Sequence, residues 1–151
     1  MIKNILIHVC CANCASASIE RLIEQGNEVS LYYANSNIDS LEEFERRRQD
    51  VGNLAERLKL VLYEEEYDHS EWLEYIVGLE KEPEGGARCR KCFEYNIDKL
   101  AKKAAEQNID NFTTTLTISP HKKSSVIFEV GSDYKGFLEE DFKKNDGFKR
   151  S

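Results

Sequence analysis

The sequence predicts a single α/β domain, residues 1–151, built on a mainly parallel sheet with helices on both faces. Three observations carry that expectation. Strand-like and helix-like patterns alternate along the chain, and the first strand is apolar almost without a break. In addition, 151 residues suit one core, enough to bury roughly 68–70% of the surface an unfolded chain of that size exposes.

Ile2 to Val9, with Ile5, Leu6, Ile7 and Val9, reads as a strand covered on both faces. Cys14 to Gln25 places Ile19, Leu22 and Ile23 at helical spacing, and Gly26 is a helix stop. Val29 to Ala34 is a second strand. Ser40 then opens a capping box with Glu43, and the helix that follows lines up Leu41, Phe44, Val51, Leu54 and Leu58. Lys59 to Tyr63 reads as a third strand, His69 to Leu79 as a short helix, and Glu80 to Arg88 as a loop around Pro83, Gly85 and Gly86. Phe93, Ile97, Leu100, Ala101 and Ala104 mark a further helix, and Phe112 to Leu116 a fourth strand. Pro120 suits the first position of a last helix, behind Ser119 as its N-cap.

Composition excludes several classes. The 21 Lys and Arg against 28 Asp and Glu leave a net charge of −7, which disfavours indiscriminate polyanion binding. The charge is uneven: residues 1–87 hold 8 basic and 18 acidic groups, residues 88–151 hold 13 and 10. A nucleic-acid face is therefore expected only from the second half, where Arg88, Arg90, Lys91, Lys122, Lys123, Lys143, Lys144, Lys149 and Arg150 can meet phosphates. Tyr32, Tyr33 or Phe93 would supply the stacking surface for a base. No apolar run could span a bilayer, and the N-terminus lacks a secretory pattern, so a cytoplasmic protein is expected. Neither G-x-G-x-x-G, nor a P-loop, nor a G-x-S-x-G elbow occurs.

The cysteines carry the chemistry. There are five, Cys10, Cys11, Cys14, Cys89 and Cys92, forming two C-x-x-C pairs with 74 residues between Cys14 and Cys89. Clustered thiols in an odd number point to metal or redox chemistry rather than a disulfide framework. Three readings stand side by side: a closed zinc site of four thiolates, a thioredoxin-like dithiol of Cys11 and Cys14 faced by Ser119–Pro120, and an iron–sulfur cluster with one thiol left over. The first pair opens a helix, whose dipole favours thiolate, and Arg88, Arg90 and Lys91 do the same around the second.

In a parallel α/β sheet the ligand crevice lies beyond the carboxyl ends of the strands. Those ends hold His8–Cys14, Asn35–Asn37, Glu64–Glu66 and Thr115–His121. His8 is a candidate metal ligand or proton donor, with a satisfied core histidine as the alternative. His121, at a predicted helix start beside Lys122 and Lys123, is a candidate for acid–base or phosphate work. The Arg46–Arg48 run reads as a solvated helix face or a phosphate contact.

Four segments together resemble the QueH-type epoxyqueuosine reductases of tRNA modification. They are His8-Val-Cys-Cys-Ala-Asn-Cys14, Tyr33-Ala-Asn-Ser-Asn-Ile38, Arg88-Cys-Arg-Lys-Cys92 and Thr113-Thr-Thr-Leu-Thr-Ile-Ser-Pro-His-Lys122. The resemblance implies a Rossmann-like, nucleotide α-hydrolase-like fold and cobalamin-independent reduction of epoxyqueuosine to queuosine in the anticodon loop of tRNA. It also implies a [4Fe–4S] cluster with an additional mononuclear iron, and an electron donor not identifiable from sequence. On that reading Cys10, Cys11, Cys89 and Cys92 are the expected metal thiolates, and Cys14 falls where some members carry Asp and suits the second iron. His8 and His121 are the catalytic candidates, and Asn35, Asn37, Arg88, Thr115, Ser119 and Lys122 the substrate contacts. The chain departs from the family in reading Tyr33-Ala-Asn-Ser-Asn where Tyr-Asn-Pro-Asn is usual. It also reaches Ser151 without the Tyr-Cys-Gly-Cys segment that members usually carry further on.

Overall fold

The computed structural model describes residues 3–38, 40–78, 87–115 and 124–138, with side chains at all of these except 13, 14, 87–89, 124 and 125. Among them, strands β1 (Asn4–His8), β2 (Glu28–Tyr33), β3 (Leu62–Glu64) and β4 (Asn111–Thr114) alternate with helices α1 (Ala12–Glu24), α2 (Leu41–Leu58), α3 (His69–Tyr75), α4 (Ala87–Glu106) and α5 (Ser124–Gly131). The sheet is parallel throughout, in the order β3-β2-β1-β4. The α/β architecture with a parallel sheet is thus as the sequence predicts.

Strand β1 is central, which explains its unbroken apolar run. Successive side chains leave opposite faces of the sheet. Ile5, Ile7 and Val9 pack with Ile19 and Leu22 of α1 and Phe44, Val51 and Leu54 of α2. Leu6 packs with Leu100 and Ala104 of α4 and with Phe112 of β4. Each such fully buried branched side chain contributes about 1.5–3 kcal/mol, so both helical layers are tied to one strand.

The helix boundaries follow local rules, with four differences from expectation. Helix α1 begins at Ala12, two residues early, with extended Cys11 as its N-cap; at its other end Gly26 takes φ +90° and donates to Ile23 O at 2.9 Å. For α2, Ser40 Oγ accepts from Glu43 N at 3.1 Å as the capping box requires, but the Glu43 carboxylate turns outward to Arg46 and Arg47. The third strand starts at Leu62 rather than Lys59, because Lys59 is the left-handed cap of α2 (φ 58°), with Leu60 N donating to Ala55 O at 2.9 Å. Helix α4 starts at Ala87, so the whole second C-x-x-C lies in a helix rather than at the end of a loop. The predicted last-helix start at Ser119–Pro120 lies outside the described residues, as do Leu79–Gly86.

Past α5 the chain returns to the outer edge of β4. Phe112 N donates to Gly136 O at 3.0 Å and Leu138 N to Phe112 O at 2.8 Å, pairing an edge that would otherwise be open. Gly136 makes this possible: its φ is +96°, and a Cβ there would lie 2.2 Å from Asp110 O. Gly136→Ala is therefore expected to destabilise the chain by more than about 2 kcal/mol, read as a lower urea midpoint. No helix among the described residues is long and apolar enough to cross a membrane.

Candidate functional site

The strand order places a switch point between β1 and β4: the chain steps outward from β1 to β3, then returns on the other side. Crevices for ligands form at the carboxyl ends of strands at such a point. Here those ends carry His8 and the Cys10–Cys11 step after β1, Asn35–Asn37 after β2, and Thr114–Thr115 at β4.

His8 knits the three segments together. Its ring is 1% exposed, with Nε2 3.0 Å from Asn35 Oδ1 and Nδ1 3.0 Å from Thr114 Oγ1. Asn35 Nδ2 donates to Val9 O at 2.9 Å, which turns the amide oxygen toward the ring. Nε2 therefore carries the hydrogen and Nδ1 accepts from the Thr114 hydroxyl, as a neutral imidazole can. Burial lowers the His8 pKa to about 4, against the opposing pull of the Asn35 bond. In this geometry His8 clamps the edge together, with both ring nitrogens engaged.

Thr115 is fully buried and donates to His8 O at 3.1 Å, while Cys10 Sγ lies 3.9 Å from the same hydroxyl. With the Thr115 hydrogen so directed, the Cys10 thiol is the donor of that contact. Cys11 caps α1 in extended conformation without a side-chain cap bond. It thus sits at the positive end of a helix dipole, which favours thiolate. Arg47 of α2 lies within electrostatic reach of Cys10 and Cys11 while bonded to Glu43 at 2.7 Å.

The second cysteine pair reaches the same edge through α4. Its 20 residues span about 30 Å, against about 17 Å for five-residue β1. Its end leads into the start of β4, so α4 runs against the strands and its first turns overhang the carboxyl edge. There Cys92 packs on Trp72, Ile76 and Tyr95, and receives a hydrogen bond from Asn96 Nδ2 at 3.5 Å. Cys10, Cys11 and Cys92 are thiols rather than disulfides. The side chains of Cys14, Cys89 and Arg88 are not described, and Ser119, His121 and Lys122 lie outside the described residues. Among the described residues no three His, Cys, Asp or Glu converge as a metal set.

Three buried polar atoms have no hydrogen-bond partner among the described residues: Asn37 Oδ1, Trp72 Nε1 and Asn96 Oδ1. Asn35, by contrast, has both ends of its amide engaged. The aromatic expectation is corrected: Tyr32, Tyr33 and Phe93 are 1%, 0% and 4% exposed, core residues that cannot stack on a base. Tyr75, 40% exposed and stacked on Trp72, with Lys91 Nζ 5.5 Å from its ring centre, is an exposed aromatic among the described residues near this edge. Arg47 belongs to the run read from the sequence as a solvated face or phosphate contact, not as a neighbour of the cysteines, and Asn96 carries no sequence expectation. Both interrupt an apolar helical stripe, Arg47 between Phe44 and Val51 and Asn96 between Phe93 and Leu100, which is the signal that finds them.

A parallel sheet with Cys10 and Cys11 at its carboxyl edge, and Cys92 in the first turns of α4, defines an α/β protein. The family model for epoxyqueuosine reductase QueH matches residues 5–151. The chain is similar to epoxyqueuosine reductase QueH of Streptococcus pyogenes serotype M1, 42% identical over 98% of this chain and 62% of that protein. It is likewise similar to that of Staphylococcus epidermidis, 36% identical over 97% of this chain and 67% of that protein. For the Thermotoga maritima protein the identity is 30% over 84% and 66%. The chain belongs to the epoxyqueuosine reductase QueH family, and it spans about two thirds of the length of these curated relatives or slightly less.

Proposed function

We propose that this chain reduces epoxyqueuosine to queuosine in the anticodon loop of a tRNA, using a [4Fe–4S] cluster and a further mononuclear iron held by Cys10, Cys11, Cys14, Cys89 and Cys92. The observation that carries the reading is the placement of Cys10, Cys11 and Cys92 at one edge of the sheet in a chain whose family match runs over residues 5–151. The donors fit such a group: soft thiols, a helix N-terminus at Cys11, the Arg47 cation, and an apolar shell with an N–H donor at Cys92.

Removing the epoxide oxygen as water takes two electrons and two protons, and the bound metal group supplies one-electron transfer and a Lewis acid. The chain's own residues supply placement. His8, Thr114 and Asn35 fix the backbone that presents Cys10, and the Thr115 hydroxyl ties the same backbone at His8 O. Of the proposed substrate contacts, Asn37 offers an amide oxygen without a partner among the described residues. Arg88, Ser119 and Lys122 remain proposed contacts, and His121 the proposed proton donor. Tyr75 and Lys91 suit one base and one phosphate of the RNA loop. An external electron donor completes the reaction, which a tRNA substrate places in the cytoplasm.

The test is iron, zinc and acid-labile sulfide per chain after anaerobic purification, followed by nucleoside analysis of epoxyqueuosine-containing tRNA incubated with a chemical reductant. About four irons and four sulfides with a broad band near ~400 nm are expected, together with queuosine formed in proportion to the loaded chain. Zinc alone, or a metal-free protein after reconstitution, would replace this reading by the zinc module or the Cys11/Cys14 dithiol. Salt-independent tRNA affinity would remove the phosphate contacts.

A further inference from the structure

We infer that Asn96 is a positioning residue for the iron–sulfur group, its side-chain N–H holding Cys92 Sγ as a thiolate and raising the reduction potential of the cluster that sulfur ligates. The inference rests on the cluster reading above and names a role that the thiol motifs themselves do not contain.

Asn96 stands one helical turn after Cys92, on the same face of α4. It is 2% exposed, and its Nδ2 lies 3.5 Å from Cys92 Sγ, within range for a hydrogen bond to sulfur. Its Oδ1 is buried without a partner among the described residues. A buried amide with one end unmet is a poor choice for a helix stripe whose neighbours are Phe93, Ile97 and Leu100. Packing alone would favour leucine there.

The sulfur resolves that conflict. A neutral thiol can accept as well as donate, so either end of the amide could face it. Toward a thiolate or a metal-bound sulfur only the N–H end is attractive, and the bond is then charge-assisted. The orientation with Nδ2 on sulfur is the one suited to the ligating state. Trp72, Ile76 and Tyr95 pack against one side of the half-buried Cys92, and the lower dielectric there strengthens the interaction.

Hydrogen bonds to cluster sulfurs stabilise the reduced, more negative state and so raise the potential. A one-electron donor must then reach a less extreme potential to charge the site. Asn96 acts through Cys92 and contacts neither substrate nor reacting atoms in this role.

The experiment is an EPR-monitored redox titration of the reconstituted full chain, wild type against Asn96→Leu and Asn96→Gln, after iron and sulfide have been counted in each. Asn96→Leu is expected to keep its iron and shift to a more negative midpoint. At fixed potential the oxidised-to-reduced ratio should rise three- to tenfold, tenfold being about 59 mV for one electron. Asn96→Gln, which retains the N–H donors, should recover part of the shift. Equal midpoints with equal iron overturn the inference and leave the cluster reading intact, whereas no cluster in the wild type overturns both.

If Asn96→Leu does not fold, the wild type decides. With asparagine side chains labelled with nitrogen-15, pulsed EPR of the reduced cluster should show a nitrogen coupling that Asn96→Gln lacks. Absence of that coupling in the wild type overturns the assignment.

Discussion

Cys11→Ser is expected to raise the stability of the metal-free chain by up to about 1 kcal/mol and, on the proposed iron–sulfur reading, to remove most of the iron and lower the proposed reductase rate more than about 100-fold. The two effects have opposite signs because they have different origins. Cys11 is the N-cap of α1, with extended backbone angles and no side-chain cap bond. A serine hydroxyl there can accept from a first-turn N–H, the interaction that Ser40 already makes for α2 at 3.1 Å. A hydroxyl is at the same time a poor replacement for a thiolate on iron, a softer partner than alcohol oxygen. Urea denaturation under chelator and iron content after reconstitution, measured on the same preparation, separate the two. A Cys11→Ser chain that loads iron like the wild type would remove Cys11 from the ligand set.

His8→Leu is expected to cost about 2–4 kcal/mol at pH 7.5 in the metal-free chain, because it leaves Asn35 Oδ1 and the Thr114 hydroxyl buried without their ring partners. The effect should depend on pH. In the unfolded chain His8 titrates near 6.5, in the folded chain at about 4. Between those values the unfolded chain binds the extra proton, so the contribution is fully present above about 6.5 and is lost progressively as pH falls toward 4. The stability gap between wild type and His8→Leu should accordingly narrow by up to about 3 kcal/mol over that interval. A gap constant from pH 7.5 to 4.5 would show that the folded ring is not held neutral.

What was legible in the sequence was what local chemistry decides. The apolar run of β1, the Gly26 stop and the Ser40 cap each follow from a rule about a few neighbouring residues. So does the placing of Cys10 and Cys11 at a strand end, once strands and helices alternate. The illegible features depend on competition between rules. Leu60-Val61-Leu62 reads as strand from its start, but the left-handed turn at Lys59 takes the first of these into the cap of α2. Tyr32 and Tyr33 carry hydroxyls that suggest a wet face, yet Tyr33 finds Phe44 O at 2.7 Å and Tyr32 finds Glu65 at 3.1 Å, so both rings join the core. His8 was visible as a candidate, but its three partners lie at Asn35, Thr114 and Thr115, and nothing in its own neighbourhood announces them.

The pairing of His8 with Thr114 spans 106 positions of the chain, and this sets an order of events during synthesis. At about 5–20 residues per second, Cys10 and Cys11 exist as exposed thiols on a nascent chain for roughly 5–20 seconds before β4 is available to close the sheet beside them. Long-range closure of this kind is slow to nucleate, so the early thiols must survive oxidants and stray metals through that window. On the proposed iron–sulfur reading, delivery of iron is productive only after β4, the last strand among the described residues, has docked, which ties maturation of the site to the folding of the sheet.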